Sequence, residues 1–126
     1  MKDRLKQYIL DTYGIEPDFP FAVSPHTAFF RNARNQKWFA VVLGQLSKSR
    51  LGLQDDGAAD VLNLKCDPIM TFSLIDHQKI FPAYHMNKEH WVSVLLDSAI
   101  TMEELSFLVD LSYRLVDQRS KPEIAK

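Results

Sequence analysis

The strongest constraint on this 126-residue chain is the run from Thr101 to about Arg119. Leu105, Leu108, Val109, Leu111, Ser112, Leu115 and Val116 recur there at the spacing of one helix face. Thr101 and Glu104 open the run as a capping box, in which each satisfies a backbone N–H beside the other. Pro122 and a charged tail end it. A helix with one apolar stripe has to bury that stripe against another layer. The rest of the chain must supply that layer.

Residues 2–13 predict a second helix, with Leu5, Tyr8, Ile9 and Thr12 on one face, Asp3 in the first turn, and Gly14 placed for a left-handed stop. Pro17 and Pro20 impose an extended connection, which Phe19 and Phe21 are expected to pin onto the core. Residues 27–31 and 37–46 read as strands rich in aromatic and β-branched residues. The polar turn Asn32–Gln36 joins them as a hairpin whose tip carries Arg31, Arg34 and Lys37. Residues 47–59 hold Gly52, Gly57 and Asp55-Asp56 and read as a loop, or a loop with a short distorted strand at Leu51 and Leu53. Residues 60–65 give a third strand, with Leu62 and Leu64 on one face and Val61, Asn63 and Lys65 on the other.

Asp67-Pro68 is a helix start, with the carboxylate as N-cap and proline in the first helical position. A short helix over 69–78 follows, with Ile69, Phe72 and Ile75 expected to face inward. Pro82 restricts 79–84 to an edge strand or a loop. Residues 90–96 alternate as a strand, with Trp91, Ser93 and Leu95 opposite Val92, Val94 and Leu96. The order is helix, strands with one inserted helix, helix. It predicts a single α+β domain over 1–126, an antiparallel sheet with helices on one face.

The bulk numbers fit an ordinary globular domain: 46% hydrophobic, 25% charged. No run approaches the roughly 18 apolar residues of a membrane helix, and the charged, amphipathic N-terminus lacks the apolar core of a signal peptide. Cys66 is alone, which excludes an internal disulfide and a cysteine metal cluster. A cytoplasmic monomer without cofactor is the expectation, and no membrane partner.

The net charge of −1 argues against strong nucleic-acid binding, since dedicated domains are commonly basic. The distribution is uneven. From Phe19 to Gln54 there is no Asp or Glu, while Arg31, Arg34, Lys37, Lys48 and Arg50 are present. From Asp97 to Asp117 five carboxylates face Arg114 alone. A near-neutral molecule can still have one positive side.

The stretch Tyr84-His85-Met86-Asn87-Lys88-Glu89-His90-Trp91 is dense in side chains that can do chemistry. It reads either as a surface that touches a ligand or nucleic acid, or as a polar connection whose aromatics are core and whose polar groups bond to backbone. His26, His77, His85 and His90 match no familiar metal-ligand spacing, so no metal site is expected. Cys66 stands at a strand-to-helix junction beside Lys65, a setting that lowers a thiol pKa, but a buried apolar role is favoured. No nucleophile elbow, phosphate loop or dinucleotide fingerprint occurs, and no catalytic residue is assigned. Trp38, Tyr84 and Trp91 are stacking candidates if exposed, but the apolar strand setting of the two tryptophans favours the core for them.

Four blocks carry a family resemblance: Lys37-Trp38-Phe39-Ala40, Asn63-Leu64-Lys65-Cys66-Asp67-Pro68, Pro82 through Trp91, and Leu111-Ser112-Tyr113-Arg114-Leu115-Val116. Together they span about Phe30 to Val116, and the third is the most specific. The chain resembles the MmcQ/YjbR family of small bacterial proteins. The resemblance implies a two-layer sandwich similar to bacterial frataxin (CyaY-like), and DNA binding through a "double wing". Iron on an acidic helix ridge is not implied here, because the first helix offers only Asp3 and Asp11 among Lys2, Arg4 and Lys6.

The leading expectation is therefore phosphate-dominated DNA binding through Arg31, Arg34, Lys37, Lys65, His85, Asn87 and Lys88. The rival is a module for a protein or small anionic ligand, seated around Lys65, Tyr84, His85, Asn87, Lys88 and Trp91. An enzyme using Cys66 or His85 is a third possibility; a non-enzyme is expected.

Overall fold

The computed structural model describes residues 1–19, 26–55 and 57–118. Helix α1 (Lys2–Tyr13) is followed by strands β1 (Thr27–Arg31), β2 (Trp38–Ser47) and β3 (Ala58–Lys65), helix α2 (Pro68–Leu74), strands β4 (Ile80–Pro82) and β5 (Trp91–Leu95), and helix α3 (Met102–Gln118). Five strands form one antiparallel sheet in the order β1-β2-β3-β5-β4. Among the described residues the fold is thus α+β: a five-stranded antiparallel sheet with three α-helices. None of the helices among the described residues is long and apolar enough to cross a membrane.

The predicted stop and start signals act as expected. Gly14 is left-handed at φ 70° and its N–H returns to the Leu10 carbonyl. Asp67 accepts from the Ile69 N–H, with Pro68 in the first turn. At α3 the capping box closes both ways: Glu104 N–H donates to Thr101 Oγ1 at 3.1 Å, and Thr101 N–H donates to Glu104 Oε1 at 2.9 Å.

The main core lies between the sheet and the two long helices. Leu5 and Ile9 of α1 and Leu105, Val109 and Val116 of α3 pack on Phe30, Ala40, Val42, Leu62, Leu64, Val92 and Val94. Ser112 sits inside this layer and donates to the Phe39 carbonyl at 2.6 Å, so the α3 stripe carries its one hydroxyl without an unsatisfied group. A β-bulge between Phe30 and Arg31 places Arg31 opposite Trp38. It lets Phe39 and Ala40 both turn to the helices while Trp38 and Val41 turn to the other face. That second face has its own smaller clusters, around Phe29, Val41, Ala83 and Trp91, and around Ala59, Val61, Phe81 and Leu95.

Several expectations are corrected. Thr12 is exposed, and Tyr13 takes its place, stacked on Tyr113 at 3.9 Å and bonded through its hydroxyl to Asp110 together with Tyr8. Phe19 is half exposed rather than a pin. Paired backbone bonds between Asp18 and Phe29, with Ile15 buried nearby in sequence, hold that connection instead. Pro20, Phe21, Asp56, Arg119 and Pro122 with the tail lie outside the described residues. Residues 48–51 form a 3-10 turn closed by left-handed Gly52 (φ 85°), not a strand at Leu51 and Leu53.

The inserted helix is the largest departure. It stops at Leu74, and Ile69 and Phe72 point outward at 88% and 77% exposure. Thr71 is fully buried instead, its hydroxyl bonded between the Asp67 and Glu89 carbonyls at 3.1 and 2.9 Å. Met70 and Leu74 share that inward side. A seven-residue helix has room for one face only, and the polar anchor decides which. Asp76 then organises the turn into β4, its Oδ1 accepting from the N–H groups of Gln78, Lys79 and Ile80 at 2.8–2.9 Å. Burial opposes its charge, but those three donors and the Lys79 cation outweigh burial and hold the carboxyl at about 2.

Two predictions follow from this packing. Phe72→Ser should change stability by no more than about 0.5 kcal/mol, whereas Leu105→Ala should lose about 2–5 kcal/mol in urea denaturation. A large loss for Phe72→Ser would mean that α2 is turned the other way. The lowered Asp76 pKa contributes stability that is complete above its unfolded value near 3.8 and is lost as pH falls toward about 2. Asp76→Asn should therefore show a flatter loss of stability between about pH 4 and 2 than the parent chain in acid-unfolding curves.

Candidate anion-binding groove

Antiparallel pairing brings four strand ends to one end of the sheet. Arg31 closes β1 opposite Trp38 at the start of β2, and Lys65 closes β3 opposite Trp91 at the start of β5. In each pair the cation lies over the indole: the Arg31 guanidinium carbon is 5.6 Å and the Lys65 Nζ 5.2 Å from the ring centroid. Between the two pairs runs a groove of about 660 Å³. Gln36 and Lys37 of the hairpin, His90, Cys66 and Pro68 complete its rim, with Leu115 and Val116 of α3 behind. Among the described residues that line it there is no Asp or Glu, and Asp18 reaches its edge only through the pair with Arg31.

The cations differ in availability. Arg31 is paired with Asp18 at 2.9 Å. Lys37 is exposed, with no ion-pair partner among the described residues. Lys65 is half buried over Trp91. The Trp38 Nε1 is buried with no acceptor among the described residues. A buried donor of this kind costs free energy until an acceptor meets it. Trp91 is only 7% exposed and Trp38 is half buried, both packed with Phe29, Val41 and Ala83. The indoles are walls, not open stacking platforms, in keeping with the core role favoured for them.

Of the seven residues expected to touch DNA, Arg31, Lys37 and Lys65 meet at this groove and four do not. Arg34 turns back onto Asp117 at 2.6 Å, and the Arg34 cation is the leading cause of that carboxyl's lowered pKa. Asn32 and Asn35 also bond to Asp117 and the Val116 carbonyl, at 2.9 and 3.2 Å, so the hairpin turn is fastened to the end of α3. Asn87 Oδ1 accepts from the Glu89 N–H, and Lys88 Nζ donates to the Ala83 carbonyl; both close the 83–90 loop on itself. His85 is exposed, held at φ 60° beside the Tyr84 ring. Sequence reasoning left His90 and Gln36 out of the site; the hairpin register that sets Arg31 against Trp38 was the signal available for its end of the groove.

Cys66 lines the groove but is not activated. Burial pushes its thiol up, the Asp67 charge adds to this, and a Thr71 hydrogen bond only partly offsets them. No three of the described His, Cys, Asp and Glu residues come together as metal ligands.

Comparison with known proteins agrees with the architecture. A crystal structure of a Pseudomonas syringae protein superposes with a TM-score of 0.88 at 34% identity, covering 92% of this chain and 98% of that one. The Deinococcus radiodurans protein DR2400, with a DUF419 domain, superposes at 0.71 with 28% identity, covering 96% and 81%. The uncharacterized protein YyaQ of Bacillus subtilis is 34% identical over 114 residues, 90% of this chain and 96% of its own. The sequence model of the YjbR family matches residues 10–115. With that match across most of its length, the chain belongs to the MmcQ/YjbR family.

Proposed function

We propose that the groove binds the phosphate backbone of nucleic acid, DNA in the first instance. One observation carries this reading: Lys37 and Lys65 line a groove of about 660 Å³ in which no Asp or Glu is found among the described lining residues. Phosphate oxygens are neutralised by cations of this kind whatever the base sequence. The acid-free stretch from Phe19 to Gln54 extends the same positive side along the hairpin. Fastening of the hairpin turn to α3 through Asn32, Arg34 and Asn35 supports its use as a stiff wing beside a duplex. Two long helices packed on one sheet face also support the frataxin-like sandwich that the resemblance implies. Binding is non-enzymatic in this reading, weak, and strongest at low salt.

A small anionic ligand is the second reading. The net charge of −1 and the pairing of Arg31 and Arg34 with carboxylates favour it, because they leave few cations for a long polyanion.

The test is titration of a labelled random duplex at several salt concentrations. Lys37→Ala and Lys65→Ala should each weaken binding on any sequence and flatten the plot of log K against log salt by about one unit. Arg34→Ala, already paired with Asp117, should leave the slope unchanged. Unchanged affinity in both lysine variants would remove the groove from the proposal. A dinucleotide that binds as tightly as a twenty-base-pair duplex would select the small-anion reading.

A further inference from the structure

Beyond Cys66 from the basic groove lies a second concavity, of about 260 Å³, with walls from α2, α3, β3 and β5. Leu64, Met70, Leu74, Val92, Leu108 and Leu111 give it apolar walls. Both helices are fixed by polar anchors, Thr71 to the Glu89 carbonyl and Ser112 to the Phe39 carbonyl. They are not free to slide together and fill it, so the cleft is preformed, as small-molecule sites usually are. An apolar cavity of about 150 Å³ already holds benzene. On that scale this one takes a chain of about eight carbons.

The polar side chains of the cleft are uneven in charge. Arg114 and Lys65 face one carboxylate, Asp67, whose Oδ1 already accepts from the Ile69 N–H. Arg114 is exposed on α3 and its Nε donates to the Asp110 carbonyl one turn back. Its terminal nitrogens have no acceptor among the described residues. A planar guanidinium whose Nη1–Nη2 edge is open matches a carboxylate better than a spherical anion.

We propose that this cleft binds a small apolar carboxylate, its alkyl chain between α2 and α3 and its carboxylate on Arg114. The cleft shares Lys65, Cys66 and Leu115 with the groove, but Arg114 lines the cleft and not the groove, so the arginine variant separates this proposal from the nucleic-acid reading. An occupant would also cover Cys66, which lines both concavities.

Octanoate and octanol, titrated into the full chain and followed by NMR, test the assignment. Saturable shifts are expected at Cys66, Leu108 and Leu111, with octanoate about tenfold tighter than octanol. Arg114→Gln should bring octanoate down to the level of octanol and leave octanol unchanged. Leu111→Trp should fill the cleft and abolish both, while leaving the duplex titration as it was. Saturation with octanoate should also slow alkylation of Cys66. Shifts that do not saturate, shifts centred elsewhere, or octanoate binding indifferent to Arg114→Gln would overturn the proposal. The arginine variant decides the matter even if the tryptophan variant fails to fold.

Discussion

A buried polar pair across β3 and β5 decides how the second face of the sheet is covered. Asn63 and Ser93 sit opposite each other in the register, and both are fully buried. Ser93 Oγ donates to Asn63 Oδ1, Asn63 Nδ2 donates to the Tyr84 carbonyl, and the Tyr84 N–H donates to Ser93 Oγ. The circuit satisfies both side chains and both backbone groups of Tyr84 without water. Breaking one member would leave its partners buried and unpaired, at about 1–3 kcal/mol each. The 83–90 loop is therefore tied over the sheet, and Ala83 closes on Trp91, Val41 and Phe29. Without that tie the loop would have no fixed height, and Trp91 would lose its cover.

The same loop sets the rim of the groove. The His90 carbonyl accepts from the Cys66 N–H at 2.7 Å, and the Glu89 carbonyl holds Thr71 of α2. One side of the groove thus hangs from the polar circuit. The other side hangs from α3, through Asn32 and Arg34 on Asp117. Two independent anchors hold two short cationic edges apart. The two hairpin cations divide accordingly: Arg34 belongs to the scaffold, and Lys37, with no ion-pair partner among the described residues, to the opening.

Cys66 stands where the two concavities meet. Burial keeps its thiol protonated, so the junction is a small apolar partition with a weak donor to the Asp67 carbonyl. The cleft on the α3 side takes part of its apolar wall from α3 residues that the main core leaves only partly covered. Leu105, Val109 and Val116 are buried in the main core, while Leu111 and Leu115 are left half covered and line the concavities.

Local signals were legible wherever one backbone group had one nearby partner. Gly14, Asp67-Pro68 and the Thr101–Glu104 box mark element ends within a residue, because each acts over three or four positions. Strand existence and the hairpin were equally plain from alternation and the polar turn. The orientation of α2 was not, since Ile69, Phe72 and Ile75 offer a convincing apolar stripe. Only the distant Glu89 carbonyl, brought in by tertiary folding, gives Thr71 the stronger claim on the interior. Charge availability was hidden for the same reason. Arg34 and Lys37 are alike in sequence, but Asp117 lies 83 positions from Arg34 and captures one of them. The sequence by itself determined the elements, their order, and an uneven charge along the chain. Tertiary structure alone decided which apolar face was buried and which cations remained, because both depend on partners that are close in space and far apart in the chain.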